Sequence, residues 1–230
     1  MTQWHPVTLV SRAPSADGLT DLTIDLSETP LGNAYRHPGQ YVRLRLPGHE
    51  EGLFALASPP DGSQRWDLLV KEGSPLTDAL VQLPLGSRVD VSSPEGRGFP
   101  LKQARGRGLL LFATGSGISP IRSVIESIRR ERAAYGEVTL YFGVRTPGSF
   151  AYARDFEAWE RAGIHVVRTV SQPDAGGWQG LTGYVQAHLA DEPLAPGTLA
   201  FVCGQQEMVQ GVIEALRSRG LLPEAIFQNF

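Results

Sequence analysis

The chain predicts two joined architectures: an N-terminal antiparallel β-barrel over residues 1–104 and a C-terminal α/β parallel-sheet domain over residues 105–230. Three observations predict this. Short alternating apolar runs cut by Pro-Gly turns fill the first half, and strand and helix patterns alternate in the second. Between them lies the polar, glycine-containing stretch Lys102-Gln103-Ala104-Arg105-Gly106-Arg107-Gly108.

In the first half, residues 7–10, 22–26, 41–46 and 66–70 alternate, or nearly so, between apolar and polar side chains, the period of a half-buried strand. Pro38-Gly39, Pro47-Gly48 and Pro59-Pro60-Asp61-Gly62 supply the turns. A helix is expected from Thr77 to Leu83, with Leu76, Leu80 and Leu83 on one face, and a last strand over Arg88–Val91. Evenly spaced strands with so little helix suit a small closed barrel.

In the second half, strands are expected at 109–113, 138–142, 164–169 and 199–203, and helices at 120–133, 150–160, 183–189 and 206–218. Ile121, Val124, Ile125 and Ile128 recur at helical spacing, as do Met208, Val212, Ile213 and Leu216, and Gly220 supplies a C-terminal stop. Such alternation implies a parallel sheet covered by helices on both faces. Ligands then bind beyond the carboxyl ends of the strands.

One of those ends is the most telling stretch of the sequence. The apolar run Leu109–Ala113 empties into Thr114-Gly115-Ser116-Gly117, and a helix begins at once with Ser119-Pro120. Unpaired amides at the positive end of a helix dipole make a phosphate site. Pro120 stands where the dinucleotide fingerprint of ordinary dehydrogenases wants a third glycine, so that simpler fingerprint does not apply.

Bulk composition narrows the classes. A net charge of −3 and a pI near 6.0 give no footprint for nucleic acid. No apolar run approaches a membrane span, the N-terminus lacks the pattern of a signal peptide, and a cytoplasmic location is expected. Arg129-Arg130-Glu131-Arg132 reads as a solvated helix face. The single cysteine, Cys203, excludes an internal disulfide and an iron–sulfur cluster held by cysteines of this chain alone. The five histidines show no metal-ligand spacing, and no metal is expected.

Three strand ends carry informative residues: Thr114-Gly-Ser-Gly-Ile-Ser-Pro120, Tyr141-Phe-Gly-Val-Arg-Thr146, and Val202-Cys-Gly204 followed by Glu207-Met208. In this order and spacing, and with Pro38-Gly39-Gln40-Tyr41 ahead of them, they resemble the ferredoxin–NADP reductase-like flavoproteins, over essentially the whole chain. The resemblance implies a flavin-binding barrel, FAD as cofactor, and NADPH or NADH as hydride donor. It implies the nicotinamide dinucleotide pyrophosphate at Gly115–Ser119, with Thr114, Gly117 and Pro120 shaping the turn. It implies Cys203 and Gly204 beside the nicotinamide, Met208 following them, and Phe230 as a lid over the flavin. Arg145-Thr146, at the end of the second strand, is expected to contact the cofactor, and Arg145 and Arg154 are cationic where many NAD-specific folds place an acid. Ser149, Tyr152 and Arg154 lie where NADP-specific relatives hold the 2′-phosphate and stack the adenine, which favours NADPH slightly.

The flavin segment of the family, Arg-x-Tyr-Ser-x-Ala-Ser, corresponds here to Gly52-Leu53-Phe54-Ala55-Leu56-Ala57-Ser58. Gly52 replaces the phosphate-pairing arginine, a contact worth on the order of 1.5–3 kcal/mol. Phe54 replaces the tyrosine, its face still able to pack on the ring, and Ala55 replaces a hydroxyl near the reactive flavin nitrogen. The loop Lys71-Glu72-Gly73-Ser74-Pro75-Leu76-Thr77 resembles the family's second phosphate contact, with Thr77 capping the helix. Lys71 or Arg97 is expected to stand in for the missing charge. Short plastid and bacterial members of this type resemble this chain in Phe-x-x-Ala-Ser-Pro-Pro.

The expected activity is therefore hydride transfer from NAD(P)H to FAD and electron delivery to an acceptor outside the chain, a protein among the candidates. The alternative is a nucleotide-binding redox subunit or sensor with reduced or lost flavin turnover. A flavin-free short-chain dehydrogenase is disfavoured, because Tyr135, Tyr152 and Tyr184 are followed four residues on by Thr139, Phe156 and His188, never by lysine.

Overall fold

The computed structural model describes residues 2–173, 177–189 and 193–229. Its first half holds strands β1 (Trp4–Ala16), β2 (Leu19–Asp25), β3 (Tyr41–Arg45), β4 (Gly52–Ala55) and β5 (Arg65–Lys71), then helix α1 (Pro75–Gln82) and strand β6 (Arg88–Ser92). They form one antiparallel sheet in the order β4-β3-β6-β1-β2-β5. The sheet closes where Leu56, just past β4, bridges Leu68 of β5, and the Ala57 amide donates to the Asp67 carbonyl at 2.8 Å.

Period-2 alternation puts Val7, Leu9, Leu22, Ile24, Val42, Leu44, Phe54, Leu56, Trp66, Leu68 and Val91 into one barrel core, and Leu76 and Leu80 of α1 join it. β1 runs well beyond the expected 7–10 because register shifts between Leu9 and Ser11, and between Pro14 and Ala16, reset its alternation while β2 keeps it paired.

The second half holds β7 (Leu109–Thr114), α2 (Ile118–Arg130), β8 (Val138–Val144), α3 (Phe156–Arg161), β9 (Ile164–Val170), β10 (Leu181–Thr182), β11 (Leu199–Cys203), α4 (Gln206–Ser218) and β12 (Ile226–Gln228). All six strands are parallel, in the order β10-β9-β8-β7-β11-β12. The chain leaves β7 in one direction and returns on its other side at β11, so a crevice opens between the carboxyl ends of these two strands.

Two expected helices differ. Over 150–160 only Phe156–Arg161 is α-helical, because Tyr152 takes a left-handed φ of 59° and interrupts the turn. Over 183–189 there is one 3-10 turn, Val185–His188. β10 and β12 are too short to print a pattern. β12 is held by its ladder to β11 and by Phe227 set edge-on to Phe201, 5.7 Å between ring centroids. Among the described residues, no helix is long and apolar enough to cross a membrane.

Candidate functional site: the cleft between barrel and sheet

A cleft of about 1580 Å³ runs between the barrel wall and the carboxyl ends of β7, β8, β9 and β11. At its centre two backbone loops touch. A Cβ on Gly117 would stand 2.5 Å from the Cys203 carbonyl oxygen, and one on Gly204 would stand 2.1 Å from Thr114 Oγ1. The Gln205 amide donates to Thr114 Oγ1 at 3.2 Å, fixing the β11 loop against the β7 loop. No side chain caps the N-terminus of α2, and Gly115, Ser116, Gly117 and Ser119 line the cleft there, while the Ile118 amide turns back to the Gly115 carbonyl. That cradle fits a diphosphate. Thr114, Gly115, Gly117, Ser119, Pro120, Cys203, Gly204 and Met208 all line it.

Cys203 is almost fully buried, and burial pushes its thiol up to about 12. It stays neutral at pH 7 and presents a small apolar wall rather than a nucleophile. Alkylation of native protein by iodoacetamide at pH 7.5 is expected to be at least tenfold slower than in urea. Equal rates would overturn the neutral buried thiol.

The barrel wall follows from alternation along β4. Phe54 and Leu56 point into the barrel core, while Leu53, 58% exposed, and Ala55 turn outward to the cleft. Phe54 is 7% exposed, its ring edge beside Gly52 and Leu76, so it reaches the cleft only from within the core. The expectation that its face lies open to a ring is corrected: Leu53 holds the open position.

Leu56, Ala57 and Ser58 do not line the cleft, because pairing with β5 buries them. Instead the backbone of this segment is gripped by α2. Ser119 Oγ donates to the Ala55 carbonyl at 2.9 Å, and Arg122 Nη1 to the Ala57 carbonyl at 3.1 Å. Tyr35, bonded to Ser123, donates to the Ser58 carbonyl at 3.0 Å.

Lys71, Leu76 and Thr77 line the cleft; Gly73 and Arg97 do not. The helix cap is Ser74 rather than Thr77. Ser74 Oγ accepts from the Thr77 amide, Thr77 Oγ1 accepts from the Ser74 amide at 3.0 Å, and Gly73 gives its amide to Asp78 at 2.8 Å.

At the far end, Arg145 closes β8 and donates to Gln172 Oε1 at 2.7 Å. Thr146 turns away to Ser149. Tyr152 and Arg154 are not in the cleft, a second correction. The Tyr152 amide donates to Ser15 Oγ, its ring lies buried under Arg122 at 4.7 Å, and Arg154 pairs with Asp21 of β2 at 2.7 Å. That part of the loop clamps the β1–β2 hairpin, and Ser149 is the loop residue left on the cleft wall.

Ser171, Gln172, Gln186 and Tyr184, a residue 67% exposed, line that end instead. The carboxyl-end rule applied to the strand at 164–169 points to Ser171 and Gln172. Phe230 lies outside the described residues.

The family model "Oxidoreductase NAD-binding domain" matches residues 111–214, the span that builds the dinucleotide side of the cleft. Ferredoxin–NADP reductase B of Sorangium cellulosum is 31% identical over 223 residues, covering 91% of this chain and 89% of that protein. The chain belongs to the ferredoxin–NADP reductase-like flavoprotein superfamily.

Two further superfamily members extend the comparison. Sulfhydrogenase 1 subunit gamma of Pyrococcus furiosus is 31% identical across 83% of this chain, which spans 66% of that subunit. A Neisseria gonorrhoeae ferredoxin NADP+ reductase, solved with FAD and NADP bound, superposes at a TM-score of 0.78 over 99% of this chain and 98% of its own, at 18% identity. That likeness carries the two-part fold. The barrel and the parallel sheet here border a shared cleft.

Proposed function

We propose that this chain is an FAD-dependent NAD(P)H reductase that delivers electrons to an external acceptor of the ferredoxin class. One observation carries the reading: the outward face of β4 and the Cys203–Gly204 loop open on the same cleft, both anchored to the first turns of α2. When bound, the cofactors would supply the redox chemistry, hydride transfer from the nicotinamide to the flavin.

The chain supplies alignment. The α2 amides hold the diphosphate, Cys203 bounds the ring site with a small uncharged side chain, and Leu53 and Ala55 exclude water from the barrel side. No general base is required for hydride transfer. Cys203→Ser is expected to lower kcat severalfold with the Kd for NAD(P)H changed less than twofold. A rise in Kd with unchanged kcat would place Cys203 in binding instead.

Tyr184 supports an adenine by stacking, a contact worth about 1–3 kcal/mol. Tyr184→Ala should therefore raise the KM for NAD(P)H about tenfold and leave flavin binding alone. With Arg154 paired to Asp21, Arg145 is the cation lining that end of the cleft, and the lean to NADPH rests on it. Arg145→Gln should raise the KM for NADPH more than that for NADH; equal effects would remove the lean.

The overall test is an anaerobic visible spectrum of the flavin-loaded protein. NADPH or NADH should bleach the flavin bands, and ferricyanide should restore them. Bound flavin that neither donor bleaches would leave a nucleotide-binding subunit rather than an enzyme.

A further inference from the structure

The barrel side of the cleft disagrees with a tightly held flavin diphosphate. Where the family has an arginine, Gly52 presents no side chain, and the space beside it is taken. A Cβ there would stand 2.8 Å from Leu76 Cδ2 and 2.9 Å from Phe54 Cε2.

At the N-terminus of α1, the other expected phosphate contact, the amides of Gly73, Ser74 and Thr77 are spent at home. Pro75 has no amide hydrogen, the Thr77 amide goes to Ser74, and the Gly73 amide goes to Asp78. Asp78 also sets a carboxylate in that first turn, so the dipole is already answered.

Charge on this wall points the same way. Among the described residues, Glu50, Glu51 and Glu72 line it against one cation, Lys71. Glu51 is paired with Arg43, but Glu72 is held in place by the barrel itself. Its Oε1 accepts from Thr20 Oγ1 at 2.8 Å, and its amide donates to the Gly18 carbonyl at 3.0 Å. A phosphate brought here meets fixed negative charge, whereas the sheet side of the cleft sets Arg145 and the Gly115–Ser119 turn, which no side chain caps, against one carboxylate, Glu207. The sheet side is thus the better anion site of the two.

We infer that the flavin is held by its ring and ribityl chain alone, so that riboflavin, FMN and FAD bind alike and exchange with solution. This rests on the oxidoreductase reading and specifies how its flavin is kept. The cleft then selects for the isoalloxazine, and the phosphate-bearing tail gains nothing.

Quenching of flavin fluorescence, titrated with the full-length protein against each of the three flavins, tests this directly. At 0.15 M salt the Kd values for riboflavin and FAD should agree within about threefold. Raising NaCl from 20 to 500 mM should tighten FAD about threefold, because salt screens repulsion, and leave riboflavin unmoved. Glu50→Gln combined with Glu72→Gln should tighten FAD about fivefold relative to riboflavin.

FAD binding 30-fold tighter than riboflavin, or weakening as salt rises, would overturn the inference and leave the reductase standing. Failure of all three flavins to bind would overturn both.

Discussion

Arg122→Met is expected to destabilise the protein by about 2–4 kcal/mol, lowering Tm by about 5–15 °C in a chain of this size. The guanidinium, with only 16% of its side chain exposed, gives Nη1 to the Ala57 carbonyl and to Asp67, gives Nε to Asp155 at 3.1 Å, and lies over the Tyr152 ring. Methionine keeps the apolar stem but strands two carboxylates and a carbonyl. Asp67 and Asp155 are themselves 37% and 22% exposed, so water relieves part of the loss and the cost stays below that of a fully buried pair.

Arg130 is the control. It pairs with Asp61 across the same boundary, but its side chain is 58% exposed, and Arg130→Met should cost less than about 1 kcal/mol. Urea unfolding of both variants decides the matter. Equal costs would mean that Arg122 is an ordinary surface ion pair.

Gly117→Ala is expected to reduce kcat/KM for NAD(P)H about 100-fold, the scale set by displacing a reacting group by about 1 Å. Backbone conformation is not the obstacle, since Gly117 sits at φ −62° and ψ −11°, ordinary helical values. Space is. The added carbon meets the Cys203 carbonyl oxygen at 2.5 Å, its carbon at 2.8 Å and Gly204 Cα at 2.9 Å, all main chain.

Neither loop can yield by rotating a side chain, so the β7 and β11 loops must part and the diphosphate cradle widens. Steady-state kinetics together with the near-ultraviolet spectrum of the variant would check this. Wild-type kcat/KM in a folded variant would show that the two loops are not held at a fixed separation.

Local periodicity made most of the scaffold legible in the sequence. The barrel strands alternate, α2 and α4 repeat at helical spacing, and the Gly115–Pro120 turn announces its own chemistry. What local pattern could not show was decided by distant partners. β1 continues through Pro14 because β2 pairs with it across two register shifts.

The helix expected at 150 breaks because Tyr152 is drawn under Arg122 and its amide to Ser15. That same long-range grip explains why Tyr152 and Arg154 looked like nucleotide ligands. They follow Gly-Val-Arg-Thr closely in sequence, yet the loop turns toward the hairpin instead. Tyr184, 67% exposed on the cleft wall, was hidden because nothing in the run around it repeats.

Ser119, Arg122 and Ser123 lie within one turn of α2, and they reach the carbonyls of Ala55, Ala57 and, through Tyr35, Ser58. Barrel and sheet are thus meshed like rack and pinion, tooth by tooth. A hybrid protein joined at the 102–108 linker from two parents would mismatch those teeth unless residues 55–58 and 119–123 came from the same parent. Deleting a single residue between Ala55 and Ser58 should disengage the halves and open the buried cluster that Leu19, Ala57 and Leu69 share with α2 and the parallel sheet.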